Sequence, residues 1–283
     1  METLLRSDSL QVKISVDKPA VIIGEKINGT RKTVKEAVLG RNAEFIQKLA
    51  VSQAEAGSTW IDVNAGTATD REPEDLVWLV ETVQAAVDKP LCLDSANPAA
   101  ITAALPHVNK APLINSISGE SARLSGVLPL AAKAQGGVIA LAMDDKGIPP
   151  ETEGRLAIVR RLIGETRNAG IPDEQVYVDP LVMTIGASGN AARVALATVR
   201  AVKAEYPKVH FTSGLSNVSY GLPVRTLINR AFLTLMLEAG LDSAILDPLD
   251  RELRKALLAA EATLGIDRHC LNYTRAFRAG LLE

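Results

Sequence analysis

The sequence predicts an α/β fold in which eight parallel strands close into a TIM (β/α)8 barrel. Three observations predict it. Eight short, largely apolar runs recur along the chain, and such runs suit parallel strands buried on both faces. Helix-length segments of 3.6-residue period lie between them. Nearly every apolar run also ends in an acid or an amide, and the carboxyl ends of the strands are where a barrel keeps its chemistry.

The runs fall at 20–24, 59–64, 91–94, 112–116, 137–143, 175–179, 208–212 and 242–247. The segment 41–56 places Phe45, Leu49 and Ser52 on one stripe, with Glu44, Lys48 and Glu55 off it. The segment 74–87 does the same with Val77, Val80 and Val87, and 190–205 and 224–239 are also helical in period. Pro73 and Pro98 read as first-turn prolines, and Gly57, Gly170 and Gly240 as helix stops. No linker or low-complexity tract divides the chain, so residues 1–283 are read as one domain. Residues 1–19 are expected to cover the bottom of the barrel, and 268–283 to form a last helix or a partner contact. A doubly wound open sheet is the alternative architecture.

The composition is that of a soluble globular protein, with 47% apolar and 23% charged residues. A net charge of −2 gives no basic excess for nucleic acid or an anionic membrane. Cys92 and Cys270 make no CxxC pair, which fits a reducing cytoplasm. There is no signal-peptide core and no apolar run long enough to span a bilayer.

Read in order, the strand ends offer Glu25, Lys26 and Asn28; Asp62 and Asn64; Asp94 and Ser95; Asn115 and Ser116; Met143, Asp144 and Asp145; Asp179; Ser213, Gly214, Ser216 and Asn217; and Asp247. Each has a bland reading. Asp179 and Asp247 precede prolines and could only open turns. Ser95 or Asn97 could cap a helix, and Asn64 with Gly66 could be a tight turn. Glu25 and Lys26 could be an exposed ion pair, and Met143 could simply pack. Together they are less easily dismissed, because a buried ring of acids and amides is costly unless a ligand pairs it. Acids accept, and amides both donate and accept, which suits the N–H edge of a heterocycle and does not suit phosphate. There is no GxGxxG or Walker sequence. Gly186 and Gly189 around Ser188 read as loop and cap. His107, His210 and His269 do not converge, so no metal site is expected.

The runs Leu93-Asp94-Ser95, Ile114-Asn115-Ser116, Asp179-Pro180-Leu181 and Gly214-Leu215-Ser216-Asn217-Val218-Ser219 resemble the pterin-binding motifs of the methyltetrahydrofolate:corrinoid protein methyltransferases. Asp62-Val63-Asn64-Ala65-Gly66 fits as well, and the likeness runs from about residue 20 to 265. That family belongs to a wider group of pterin-binding barrels that includes dihydropteroate synthase. The resemblance implies a homodimeric pterin-binding barrel whose substrates are tetrahydrofolate or methyltetrahydrofolate and a separate corrinoid (cobalamin) protein. It implies that Asp94, Asn115 and Asp179 hold the pterin edge and that Asn217 bonds near N5, the methyl-bearing nitrogen. Family members often carry Gln where this chain has Tyr220, which is then either a second polar contact or a wall of the cleft. The expected reaction is methyl transfer from the corrinoid protein to tetrahydrofolate. A dihydropteroate synthase-like enzyme and a non-catalytic folate-binding protein are the alternatives. The Ser-Arg-Lys run and the late Arg-x-His segment of the synthases are missing at the matching places.

Overall fold

The computed structural model describes residues 18–283, together with the backbone of two short strands, Thr3–Ser7 and Leu10–Ile14. Those two strands pair antiparallel, and the first lies against the turn Asp173–Gln175 at the amino-terminal face of the barrel. The expectation for residues 1–19 otherwise falls outside the described residues.

Eight parallel strands form the sheet: β1 (Val21–Asn28), β2 (Trp60–Asn64), β3 (Leu91–Asp94), β4 (Leu113–Gly119), β5 (Gly137–Asp144), β6 (Val176–Asp179), β7 (His210–Phe211) and β8 (Ser243–Leu246). Their spatial order is β8–β1–β2–β3–β4–β5–β6–β7, the sequential order of a barrel and not of a doubly wound sheet. Closure between β7 and β8 is made just beyond the short β7. Gly214 bridges Ile245, and the Ile245 N–H donates to the Ser213 carbonyl at 3.1 Å. The strands β1 and β4 run beyond their apolar stretches, and both carry register shifts there.

Outside the sheet lie α1 (Lys32–Leu39), α2 (Ala43–Glu55), α3 (Glu72–Gln84), α4 (Pro98–Ala104), α5 (Ser121–Ala134), α6 (Thr152–Asn168), α7 (Ala191–Glu205), α8 (Arg225–Ala239), α9 (Arg251–Thr263) and α10 (Leu271–Arg278). The buried stripe of α2 is Ile46, Ala50 and Gln53, one position on from the stripe expected, and Phe45, Leu49 and Ser52 are half-buried. The buried Gln53 accepts from the Lys26 N–H at 2.9 Å through its side-chain oxygen, while its Nε2 has no hydrogen-bond partner among the described residues. In α3 the core face is Leu76, Leu79, Val80 and Val83, while Val77 is half-buried and Val87, expected on the same stripe, lies three residues beyond the helix end. Gly57, Gly170 and Gly240 end their helices with φ of +95°, +81° and +118°, which only glycine adopts without strain.

Inside the barrel, Val21, Ile23, Trp60, Cys92, Leu113, Ile139 and Tyr177 form a separate apolar layer. Trp60 meets Tyr177 edge-on at 5.9 Å, and Tyr177 stacks on His210 at 5.1 Å. His210 Nδ1 lies 2.7 Å from the Asp242 carboxylate, low in the barrel and away from the strand ends. The two-residue period of a strand then decides what stands above this floor. The next inward positions after Trp60 are Asp62 and Asn64. After Cys92, Leu113, Ile139, Tyr177 and Ile245 they are Asp94, Asn115, Leu141 with Met143, Asp179 and Asp247.

Candidate functional site

At the carboxyl ends of β2, β3 and β4 the polar residues touch. The Asn64 amide donates to Asp94 Oδ2 at 3.0 Å, and the ladder sets Asp94 beside Asn115. Asp62, only 2% exposed, lies one layer below, against the Cys92 thiol and the Asn115 amide. Burial, and then the neighbouring Asp94 charge, push the Asp62 carboxyl well above the usual range. Burial also raises Asp94, to about 6, against the lowering effect of Asn64 and the Arg123 guanidinium. Asp62 is the deeper of the pair, and its donors, the Cys92 thiol and the Asn115 amide, are weak, so burial is the leading cause of its shift. Asp62 Oδ1 and Asn64 Oδ1 are buried with no hydrogen-bond partner among the described residues, so this corner holds hydrogen-bonding capacity that a ligand could take up. The Asn64 side chain is thus part of the ring and not only a turn residue, and Cys92 is core.

Asp179 closes β6 and is 8% exposed. Its Oδ1 accepts from the Leu181 N–H at 2.8 Å, so the turn-opener reading is realised in part, and the Gly214 N–H also bonds to it. Burial raises it to about 6, with Leu181, Gly214 and Arg155 opposing. The turn is held from below by Arg155, which is 1% exposed and donates to the Pro180 and Leu181 carbonyls at 2.8 and 2.7 Å.

Gly214 joins this group to the next loop. Leu215–Ser219 is a single short helical turn whose Asn217 N–H returns to the Gly214 carbonyl at 3.2 Å. A side chain at Gly214 would put a Cβ 3.3 Å from Asn217 Nδ2, so glycine leaves the amide its place. Asn217 is exposed at the mouth. The turn is fixed by Arg225 of α8, which donates to the Ser216 carbonyl at 2.6 Å and to Ser219 Oγ at 3.1 Å. Ser219 Oγ in turn donates to Asn229 at 2.7 Å. Tyr220 is 70% exposed, with the Arg225 guanidinium 5.9 Å from its ring, so it stands on the rim of the mouth. Met143 is half-buried at the end of β5. Sequence reasoning missed Arg123, Arg155 and Arg225. Arg155 and Arg225 act largely on backbone carbonyls of the loops, a contact that leaves no spacing signal.

Glu25 and Lys26 do not form the exposed ion pair that their adjacency suggests. Lys26 Nζ binds Asp247 Oδ2 across the seam at 2.8 Å, while the nearest ion pair of Glu25 is Arg31 at 3.4 Å. Asp247 Oδ1 accepts from the Leu249 N–H at 3.0 Å, so this acid both opens its turn and binds Lys26. Asn97 is the cap of α4, accepting from the Ala99 N–H at 3.0 Å. Among the described residues no three His, Cys, Asp or Glu side chains are grouped so as to hold a metal ion, and no helix is long and apolar enough to cross a membrane. A cleft of about 930 Å³ lies at the opposite, amino-terminal face, lined by residues such as Leu105, Pro112, Leu130 and Ile171. No strand-end polar residue borders it.

This geometry can be set beside known proteins. The family described as pterin binding enzyme matches residues 24–247. A methylcorrinoid:tetrahydrofolate methyltransferase of Eubacterium limosum is 40% identical over 262 residues, which are 92% of this chain and 97% of that protein. The methionine synthase of Mycobacterium tuberculosis is 28% identical over 247 residues, covering 83% of this chain but 21% of that longer protein. Among solved structures, Yersinia pestis DHPS with a pterine-sulfa conjugate superposes with a TM-score of 0.71 at 18% identity, over 93% of this chain and all of that one. Dihydropteroate synthase from Xanthomonas albilineans in complex with 7,8-dihydropteroate gives 0.64 at 18% identity, over 89% and 95%. These structural likenesses show the barrel fold alone.

Proposed function

The chain belongs to the pterin-binding enzyme family, and on that premise we propose that it is a methyltransferase moving a methyl group between a corrinoid protein and N5 of tetrahydrofolate, in the direction of methyltetrahydrofolate. The observation that carries this reading is the ring formed by buried Asp62 and Asp179 with half-buried Asn64, Asp94 and Asn115 over an apolar floor, next to an exposed amide on a clamped turn. A pterin offers the adjacent N–H groups such a ring lacks. Asp94, Asn115 and Asp179 then hold the pterin edge, and the unpartnered oxygens of Asp62 and Asn64 gain donors. The relative's name supplies the second substrate, a corrinoid.

Transfer between nitrogen and cobalt is a direct displacement, so what the protein must do is orient the pterin, worth roughly 7–11 kcal/mol when the reacting atoms are aligned. Asn217 can donate to N5 when it carries the electron pair and accept when it carries a proton, which a fixed carboxylate cannot do. Its exposure at the mouth lets the corrinoid, borne on a partner, reach the same atom. The reading includes a second copy of the chain, favoured by the exposed Leu271, Phe277 and Leu281 along and just beyond α10, and a cytoplasmic location, favoured by two unpaired cysteines. Light scattering tests the first and fractionation the second.

The test of function is methyl transfer from methylcobalamin to tetrahydrofolate, with folate affinity measured by calorimetry on chelator-treated protein. Asn217→Ala should slow transfer by about 10²-fold with a smaller loss of affinity, the pattern of a contact made chiefly in the transition state. Folate binding without any transfer would leave only a binding protein.

A further inference from the structure

The proposed reaction leaves one proton unassigned. N5 of tetrahydrofolate is a secondary amine; when its electron pair takes the methyl group, the carbon–cobalt pair stays with the corrinoid. N5 then carries both hydrogen and methyl, and the hydrogen has to leave as a proton. The pterin-edge residues are engaged elsewhere, and a neutral amide such as Asn217 does not hold a proton.

The end of β1 is built unusually. Val21 and Ile23 belong to the inner layer of the barrel, so Glu25 is the next inward position. Strict alternation would turn Lys26 outward and Ile27 inward. Instead the pairing of β1 with β2 slips between Gly24 and Ile27, and Ile27 joins the outer core. The bulge thus gives the mouth two consecutive charged residues, Glu25 and Lys26, a use of bulges met beside active sites. Lys26 is taken by Asp247 of β8 at 2.8 Å. Among the described residues, the ion pair of Glu25 is a long 3.4 Å contact with Arg31 of the following loop.

Glu25 stands between the two halves of the site. Asp62 of β2 feels its charge on one side. On the other it faces Asp247 and Arg225, and Arg225 is the residue that clamps the Asn217 turn. We propose that Glu25 is the proton acceptor of the methyl transfer, taking the N5 proton as methyltetrahydrofolate forms and returning it in the reverse direction. This rests on the methyltransferase reading above. Its carboxyl has the acidity that such a role needs. Burial, with Asp247 adding to it and Arg31, Lys26 and Arg225 opposing, raises it to about 7. It can therefore accept and release a proton at neutral pH.

The experiment follows single-turnover methyl transfer between methylcobalamin and tetrahydrofolate, in both directions, across pH 5.5–8.5. If the wild-type protein binds tetrahydrofolate but transfers nothing, the methyltransferase reading itself fails. If it transfers, the rate towards methyltetrahydrofolate should rise with pH through about 7 and the reverse rate should fall through the same value, because one group is base in one direction and acid in the other. Glu25→Gln should lose both limbs, slow transfer by about 10²-fold and keep tetrahydrofolate affinity. Glu25→Asp, with its carboxyl one methylene back, should keep both limbs at a displaced midpoint and recover part of the rate. It carries the test if the Gln variant does not fold. Unchanged pH limbs in either variant would overturn the proposal.

Discussion

Asp179 shows how a single residue's stability and function pull apart. Its folded value of about 6 lies above the ordinary 3.8. Between those values the native state holds the proton more tightly than the unfolded chain does. Stability therefore falls as pH rises from about 3.8 to about 6 and stays at the lower level above that. The penalty at neutral pH is on the order of 3 kcal/mol. Asp179→Asn keeps an oxygen for the Leu181 and Gly214 N–H groups but carries no charge. It should be more stable than the wild type at pH 7, lose that advantage near pH 4, and bind tetrahydrofolate more weakly. Urea midpoints at the two pH values, with calorimetry, test this; a stability difference that ignores pH would remove the buried-charge account. That Asp62, Asn64, Asp94, Asn115 and Asp179 belong to one set was legible in the sequence, because they stand at or next to the ends of apolar runs; in the structure each lies an even number of residues beyond a floor residue, Asn64 four and the others two. Arg155 was not legible. It lies within a helix, and its partners are carbonyls about 25 residues further on.

At the scale of elements, β1 and β2 deliver their side chains together because the loops after them cross in backbone contact. The Gly29 N–H donates to the Asn64 carbonyl at 2.8 Å, and a Cβ on Gly29 would lie 1.8 Å from the Ala65 carbonyl oxygen. Gly66, at φ +59°, is pressed against Gly29 from the other side. Gly29→Ala must push the two strand ends apart. It should cost about 1–3 kcal/mol or more and weaken folate binding through Asn64. Gly164, inside α6 with nothing within 4 Å of its missing side chain, is the control, and Gly164→Ala should stabilise by about 0.5–1 kcal/mol. Thermal melts of both variants decide it; a Gly29→Ala protein as stable as wild type would mean that the loops can part freely. The number and order of elements could be read from periodicity alone. The crossing glycines and the β1 bulge could not, since Gly29 and Gly66 are far apart in the sequence and the bulge falls beyond the apolar run, at the charged pair Glu25-Lys26.

At the scale of the whole molecule, the barrel was legible because strand burial on both faces leaves a continuous apolar signal. What surrounds its mouth was not. Segments 214–227 and 247–250 read as turns and helix starts, yet they set apolar side chains in solvent. Tyr220, Val224 and Leu227 are 70%, 66% and 58% exposed on the loop after β7 and the start of α8, and Met183 and Leu249 lie on the loops after β6 and β8. These three loops are neighbours around the barrel, on the side of the seam where Asn217 stands. Exposed apolar side chains gathered on neighbouring loops are the kind of surface that a protein partner covers. Under the proposed reaction a corrinoid protein brings its cobalt over this mouth, whereas free methylcobalamin needs no such rim. Leu227→Glu should therefore leave melting temperature and transfer from methylcobalamin close to wild type, and raise KM for the methylated corrinoid protein by about tenfold or more, the effect of a charge buried without a partner at an interface. An equal loss with both donors would place Leu227 in the folate site instead, and no loss with either would free the rim of any part in docking.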